Sequence, residues 1–200
     1  MSATRERDLA TTVAKTDPAK ALILARKVSD PWFRCQALAA VARYSPRSDV
    51  EAISSEAVSA AALCEGVYKR VAVRAWPIRA LSECGNIKQA DGLLMRSLKD
   101  AHEIQQPVSR MDALELLWHA AWAPPLAGRA EALNELLRAC AAASSWKVGR
   151  CMRDIVLVIS GEDPARAAQI IASMPEGSYK RQAARGPVVQ TSRGVRPFFW

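Results

Sequence analysis

The sequence predicts an all-α chain built as an α-solenoid of about five antiparallel helical hairpins, and three observations carry that prediction. Half of the residues are hydrophobic but only 6% are aromatic. The apolar content comes from Ala, Leu and Val, Ala and Leu join Arg, Lys and Glu among the good helix formers, and no run alternates β-branched residues as a half-buried strand would. Asp-Pro steps stand where helices should begin, at Asp17-Pro18, Asp30-Pro31 and Asp163-Pro164. Segments aligned on an arginine recur with separations of 36, 40, 40 and 31 residues.

Taken in order, residues 3–15 read as a short first helix or a lead-in. Asp17 can accept from the free N–H groups of a first helical turn, and Pro18 suits the first helical position, where no N–H is needed. Asp30-Pro31 repeats the arrangement and starts a helix running to about Tyr44. Two helices joined by so short a link pack antiparallel. Asp49 reads as another cap, the helix from it to Glu65 stops at Gly66, and the next, from Val67, stops at Gly85. Pro77 lies inside that second helix and should kink or split it after Trp76. Asn86 to Ile104, Val108 to Trp122, Gly128 to Ala143, Trp146 to Ser160 and Pro164 to Ser173 complete the regular part.

The anchors of the internal repeat are Arg34, Arg70, Arg110, Arg150 and Arg181. Two positions earlier stand Trp32, Tyr68, Val108, Val148 and Tyr179; one later stand Cys35, Val71, Met111, Cys151 and Gln182; eight later stand Ala42, Ile78, Trp118, Val158 and Val189. These offsets share one helical face, so each second helix offers a similar apolar stripe. Asp17-Pro18-Ala19-Lys20-Ala21 and Asp163-Pro164-Ala165-Arg166-Ala167 are near copies on first helices. A period of this length with two helices per unit resembles the HEAT and tetratricopeptide classes of α-hairpin repeat, over residues 17 to 185. The tetratricopeptide Trp/Leu-Gly/Tyr consensus is missing and the period varies more than that class allows, which favours a HEAT-like array. The resemblance implies a right-handed superhelix with an interaction surface, and names no partner. It divides the chain into a repeat domain, residues 1–185, and a basic-aromatic tail, residues 186–200, ending in Phe198, Phe199 and Trp200. That tail reads either as a cap on the last hairpin or as a partner-binding peptide.

The net charge is +8, yet Lys180, Arg181, Arg185, Arg193 and Arg196 follow the last acid, Glu176, and account for most of it. The body is only mildly basic, so charge alone is weak support for nucleic-acid binding. Cys35, Cys64, Cys84, Cys140 and Cys151 are odd in number and have no close spacing. They predict reduced thiols in a cytoplasmic protein, serving as small buried apolar groups. The N-terminus has no apolar signal core, and no stretch suits a bilayer span. The Ala- and Arg-rich composition leans towards a GC-rich bacterial genome.

Several residues are candidates for chemistry. The five arginines would form a ladder if the second helices line one face. Their forked donors would then grip an acidic partner or phosphates, or else pair with neighbouring acids or with carbonyls at the end of the preceding helix. Tyr68, Lys69, Arg70, Arg74 and Trp76, with Arg79, make the densest basic patch, suited to a backbone and a stacked base or to a solvated face. Arg70 and Arg74 repel one turn apart, so something negative should offset them, inside the protein or on a ligand. Glu115 and His119 are also one turn apart, the spacing of an oriented general base, but no nucleophile accompanies them. The tryptophans, Trp32, Trp76, Trp118, Trp122 and Trp146, should pack between hairpins. With only His102 and His119 and scattered cysteines there is no zinc-ligand spacing, and no cofactor motif is present. The expected function is a non-enzymatic protein-interaction module, an adaptor, scaffold or toxin-neutralising protein. It would bind an acidic partner through the second helices at Arg34, Tyr68, Lys69, Arg70, Arg74, Trp76, Arg110, Arg150 and Arg181. The alternative is a nucleic-acid-binding HEAT-like protein using the same Arg/Lys face.

Overall fold

A computed structural model describes residues 2–122 and 124–185. The described residues form twelve α-helices: α1 (Ala3–Ala14), α2 (Pro18–Arg26), α3 (Pro31–Tyr44), α4 (Val50–Ala62), α5 (Val67–Ala72), α6 (Ala75–Glu83), α7 (Ile87–Ala101), α8 (Pro107–Trp122), α9 (Arg129–Ala142), α10 (Trp146–Ile159), α11 (Pro164–Ser173) and α12 (Ser178–Ala184). No strand is present among the described residues. No described helix is long and apolar enough to cross a membrane. The expected tail, with Phe198, Phe199 and Trp200, lies outside the described residues.

Local chemistry sets most boundaries. Asp17 accepts from the Lys20 N–H at 2.9 Å, Asp30 from Phe33 at 3.2 Å and Asp163 from Arg166 at 2.9 Å, each with Pro at the first helical position. Asp49 departs from the expected pattern: its carboxylate makes no cap bond to α4 and accepts instead from the Ser48 hydroxyl at 2.9 Å. Gly85, with φ of +86°, follows α6 as expected, because a left-handed backbone costs a glycine no steric penalty. Gly66 also has positive φ, but it precedes α5 as its N-cap rather than closing α4, which has already ended at Ala62.

The proline splits its helix as expected, one turn earlier than Trp76. Pro77 has no N–H to give to the carbonyl four residues back, and its ring crowds that carbonyl. That carbonyl is Val73, at the break between α5 and α6. It accepts instead from the Trp76 N–H at 3.2 Å and from the Cys35 thiol of α3 at 3.5 Å. A buried cysteine thus occupies the place of a missing backbone donor, which the view of Cys35 as a purely apolar filler did not foresee.

Every substantial helix–helix contact joins elements no more than three places apart in chain order. The apolar interior forms two clusters. One takes Ala10, Ala14, Ala21, Ala25, Ala37, Ala57 and Ala61 from α1 to α4, where small side chains let the helices approach closely. The other runs from Val50 to Ala183 and holds the larger side chains, including Leu94, Met111, Leu117, Trp118 and Ile155. Trp32 and Trp76 pack against both and join them. The predicted stripe is buried at Cys35, Ala42, Val71, Ile78, Met111, Trp118, Val148 and Cys151, half-buried at Trp32, Tyr68, Val108, Val158 and Tyr179, and exposed at Gln182; Val189 lies outside the described residues. Burying an Ile or Leu side chain contributes about 1.5–3 kcal/mol, so this stripe is a main source of stability.

Substitution of Asp17, Asp30 or Asp163 by Ala should each cost about 1 kcal/mol in urea denaturation. Asp49→Ala, which breaks no cap bond, should fall clearly below that.

Candidate functional site

Three ladder arginines share one geometry. Arg34 donates Nε to the Val28 carbonyl at 2.7 Å and Nη2 to Ser29 at 3.0 Å. Arg70 donates Nη1 to the Cys64 carbonyl at 3.3 Å. Arg110 donates Nε and Nη2 to the Ile104 carbonyl at 2.9 and 2.7 Å. In each case the acceptor lies six residues upstream, in the link between α2 and α3, α4 and α5, or α7 and α8. The physical reason is the end of the preceding helix. Its last carbonyls have no helical partner, and Val28, Cys64 and Ile104 are buried, so water cannot serve them easily. A forked cation one turn into the next helix does so. The sequence signal was present as an apolar residue at offset −6, but the alignment did not extend that far back. Ser144 and Pro175 stand there in the last two units. Arg150 lies over the Trp146 ring at 5.4 Å instead, and Arg181 is exposed on α12.

The basic patch is answered from within the protein. Arg74 pairs with Asp100 of α7, and Glu83 joins Arg79 of its own helix to Arg43 of α3. The charge expected to offset Arg70 and Arg74 is therefore the Cys64 carbonyl together with the Asp100 carboxylate. Tyr68 stacks on Trp32 at 6.4 Å with a 24° tilt, and Trp76 meets Trp32 edge-on at 6.0 Å, so these half-buried rings pack on one another. Lys69 is exposed.

Acids that the sequence reading passed over sit among the second helices. Asp112 of α8 accepts from the Lys147 ammonium of α10 at 2.6 Å, and Asp154 of α10 pairs with Arg153. Glu115 is 3% exposed, and its Oε1 has no hydrogen-bond partner. Burial pushes its carboxyl up to about 7, with Arg150 opposing and Asp154 and Asp112 adding to the rise. The Tyr68 phenol is raised by burial, then by Asp112 and Glu115. His119 is pressed down to about 4 by burial and by Arg79. The two members of the expected pair thus answer to different neighbours, Glu115 to α10 and His119 to α6.

The tryptophans divide. Trp118 is fully buried, and Trp122 is half-buried beneath the Arg129 guanidinium at 4.8 Å. Trp146 corrects the expectation of a packing role, because it is 65% exposed. It lines a groove of about 820 Å³ between α9, α10 and α11, together with the apolar Leu137, Val148, Met152 and Ile170 and the polar Ser144, Ser145, Arg166 and Gln169. Cys140 and Cys151 meet at 3.8 Å between sulfurs, both as free thiols. No group of His, Cys, Asp or Glu among the described residues is placed to hold a metal ion. Compared with models of known protein families the chain matches none, and no curated protein or solved structure matches it either.

The carbonyl ties predict that Arg110→Ala lowers stability by about 1.5–3 kcal/mol. Arg110→Lys should recover only part of this in chemical denaturation, since an ammonium lacks the fork. The two buried titrating groups predict opposed pH slopes. Folded Glu115 holds its proton to about 7 rather than 4.5, so its contribution falls as pH rises through that window. Folded His119 stays neutral down to about 4 rather than 6.5, so its contribution grows as pH rises across that range. Relative to the unsubstituted chain, Glu115→Gln should make the urea midpoint climb more steeply from acid to neutral pH, and His119→Gln should tilt it the other way.

Proposed function

We propose that the chain is a right-handed α-solenoid acting as a non-enzymatic module that binds a protein partner. Its five hairpins would be α2–α3, α4 with α5 and α6, α7–α8, α9–α10 and α11–α12. Helix contacts that join elements no more than three places apart and the recurring arginine tie both support the repeat architecture. Free cysteines throughout the described residues are in keeping with a cytoplasmic, reducing setting.

The observation that carries the interaction reading is Trp146, a large ring left 65% exposed beside a groove that mixes apolar and polar side chains. Tryptophan in such a setting is the side chain most often found as a binding anchor. The ladder arginines favour a phosphate-gripping role less. Arg34, Arg70 and Arg110 already hold carbonyls, Arg74 holds Asp100, and Asp112 and Asp154 interrupt the positive face. Burial favours the neutral form of both Glu115 and His119, and different charges act on each, which favours no catalytic pairing.

Titration with duplex and single-stranded oligonucleotides across a salt series tests this reading. The expected result is at most weak binding with a shallow salt slope. Tight binding that weakens steeply with salt would replace it with the nucleic-acid reading.

A further inference from the structure

We propose that the groove between α9, α10 and α11 docks a short segment of a partner protein that presents apolar side chains beside a carboxylate. The inference rests on the protein-interaction reading and adds the place and the chemistry of the contact.

The groove opens at the link between α9 and α10, where Ser144 occupies the offset that Val28, Cys64 and Ile104 fill in earlier units. In those units an arginine draws the link onto the next helix; here Arg150 lies over Trp146. A volume of about 820 Å³ accommodates several side chains. Its floor is Val148, Met152 and Ile170, exposed by only 6%, 6% and 3%, and so held rigidly by the core beneath. Leu137 and Ala141 of α9 form one wall. Trp146 at the rim has most of its ring in water, and covering that ring contributes about 25 cal/mol for each Å² removed from solvent.

Charge selects the occupant. Among the described residues Arg166 is the one charged residue lining the groove, and no described Asp or Glu lines it. The Arg166 guanidinium is oriented by neutral acceptors only, Gln169 Oε1 at 3.1 Å and Asn134 Oδ1 at 3.2 Å. A positioned cation with no carboxylate beside an apolar floor is complementary to an acidic, apolar segment. Residues 186–200 of this chain carry Arg193 and Arg196 and no acid, which is the wrong sign. A second copy meets the same objection, because two chains of net charge +8 repel.

Selection of a random peptide-display library on the full chain tests the proposal. Enriched peptides are then synthesised and titrated against the unsubstituted protein and against Trp146→Ala, Ala141→Glu and Arg166→Glu. Ala141 is an exposed helical residue, so Glu there obstructs the groove with little strain on the fold. Circular dichroism melts identify any variant that has lost structure. The expected result is enrichment of peptides pairing Leu, Phe or Trp with Asp or Glu, and a loss of about tenfold or more in affinity on each substitution. Arg166→Glu should also bind Lys-substituted versions of the selected peptides better than the originals. Peptides indifferent to all three substitutions, or no enriched peptide, would overturn the groove while leaving interaction through another face standing. Preferential binding of a synthetic 186–200 peptide, or sedimentation showing a dimer abolished by Trp146→Ala, would overturn the assigned occupant. Failure of the wider reading shows separately, in the oligonucleotide titration.

Discussion

The arrangement of this protein turns on a mismatch between a short link and the end of a helix. Three links bury an apolar residue, Val28, Cys64 or Ile104, to seal the interior, yet the peptide carbonyl of that residue has lost its helical partner. An unpaired buried carbonyl costs about 1–3 kcal/mol, enough to open the joint. The arginine at six residues' distance removes the penalty, and it ties the next helix to the turn that precedes it. Arg34, Arg70 and Arg110 do this at three successive joints. Where Ser144 replaces the apolar residue there is less to seal, Arg150 turns to Trp146, and a groove stands beside the joint.

The same economy of polar groups explains the charge distribution. A chain with net charge +8 could present a continuous cationic face. Instead Asp100, Glu83, Asp112 and Asp154 each hold a cation, mostly from another helix or the adjacent residue. These pairs are mostly half-buried, and they shape the surface by removing unanswered charge from it. Arg166, oriented by two amides, is a different kind of cation and stands beside apolar surface. Glu115 and His119 show the reverse situation, with burial setting their protonation more than any partner charge.

Much of the fold was legible in particular residues. The Asp-Pro steps marked three helix starts, Gly85 marked a stop, and Pro77 marked a break. These signals act within one turn of chain, so the sequence displays cause and effect together. Asp49 and Gly66 misled because residues of the right type stood near a boundary without the right local geometry. The candidate site was legible only in part. The arginine series was visible as a series, and carbonyls at the end of the preceding helix were one of its readings. Which acceptor each guanidinium takes depends on atoms that the link brings back, and a long flexible side chain reaches carbonyl, carboxylate and ring alike. Trp146 shares its residue type and helix class with packed tryptophans, and nothing in its neighbours along the chain distinguishes it from them.

The sequence by itself determined that the described residues are helical, where most helices begin and break, and that Cys35, Val71, Met111 and Cys151 turn inward. Hydrogen bonding within a turn and apolar periodicity along it are properties of neighbouring residues. The tertiary structure alone decided that three arginines close joints, that Cys35 serves the carbonyl left by Pro77, that Glu115 and His119 are buried, and that Trp146 stays in water. Periodicity selects a face and leaves its neighbour undefined; the neighbour is chosen by how consecutive helices pack, and that packing sets both the internal partners and the surface left over.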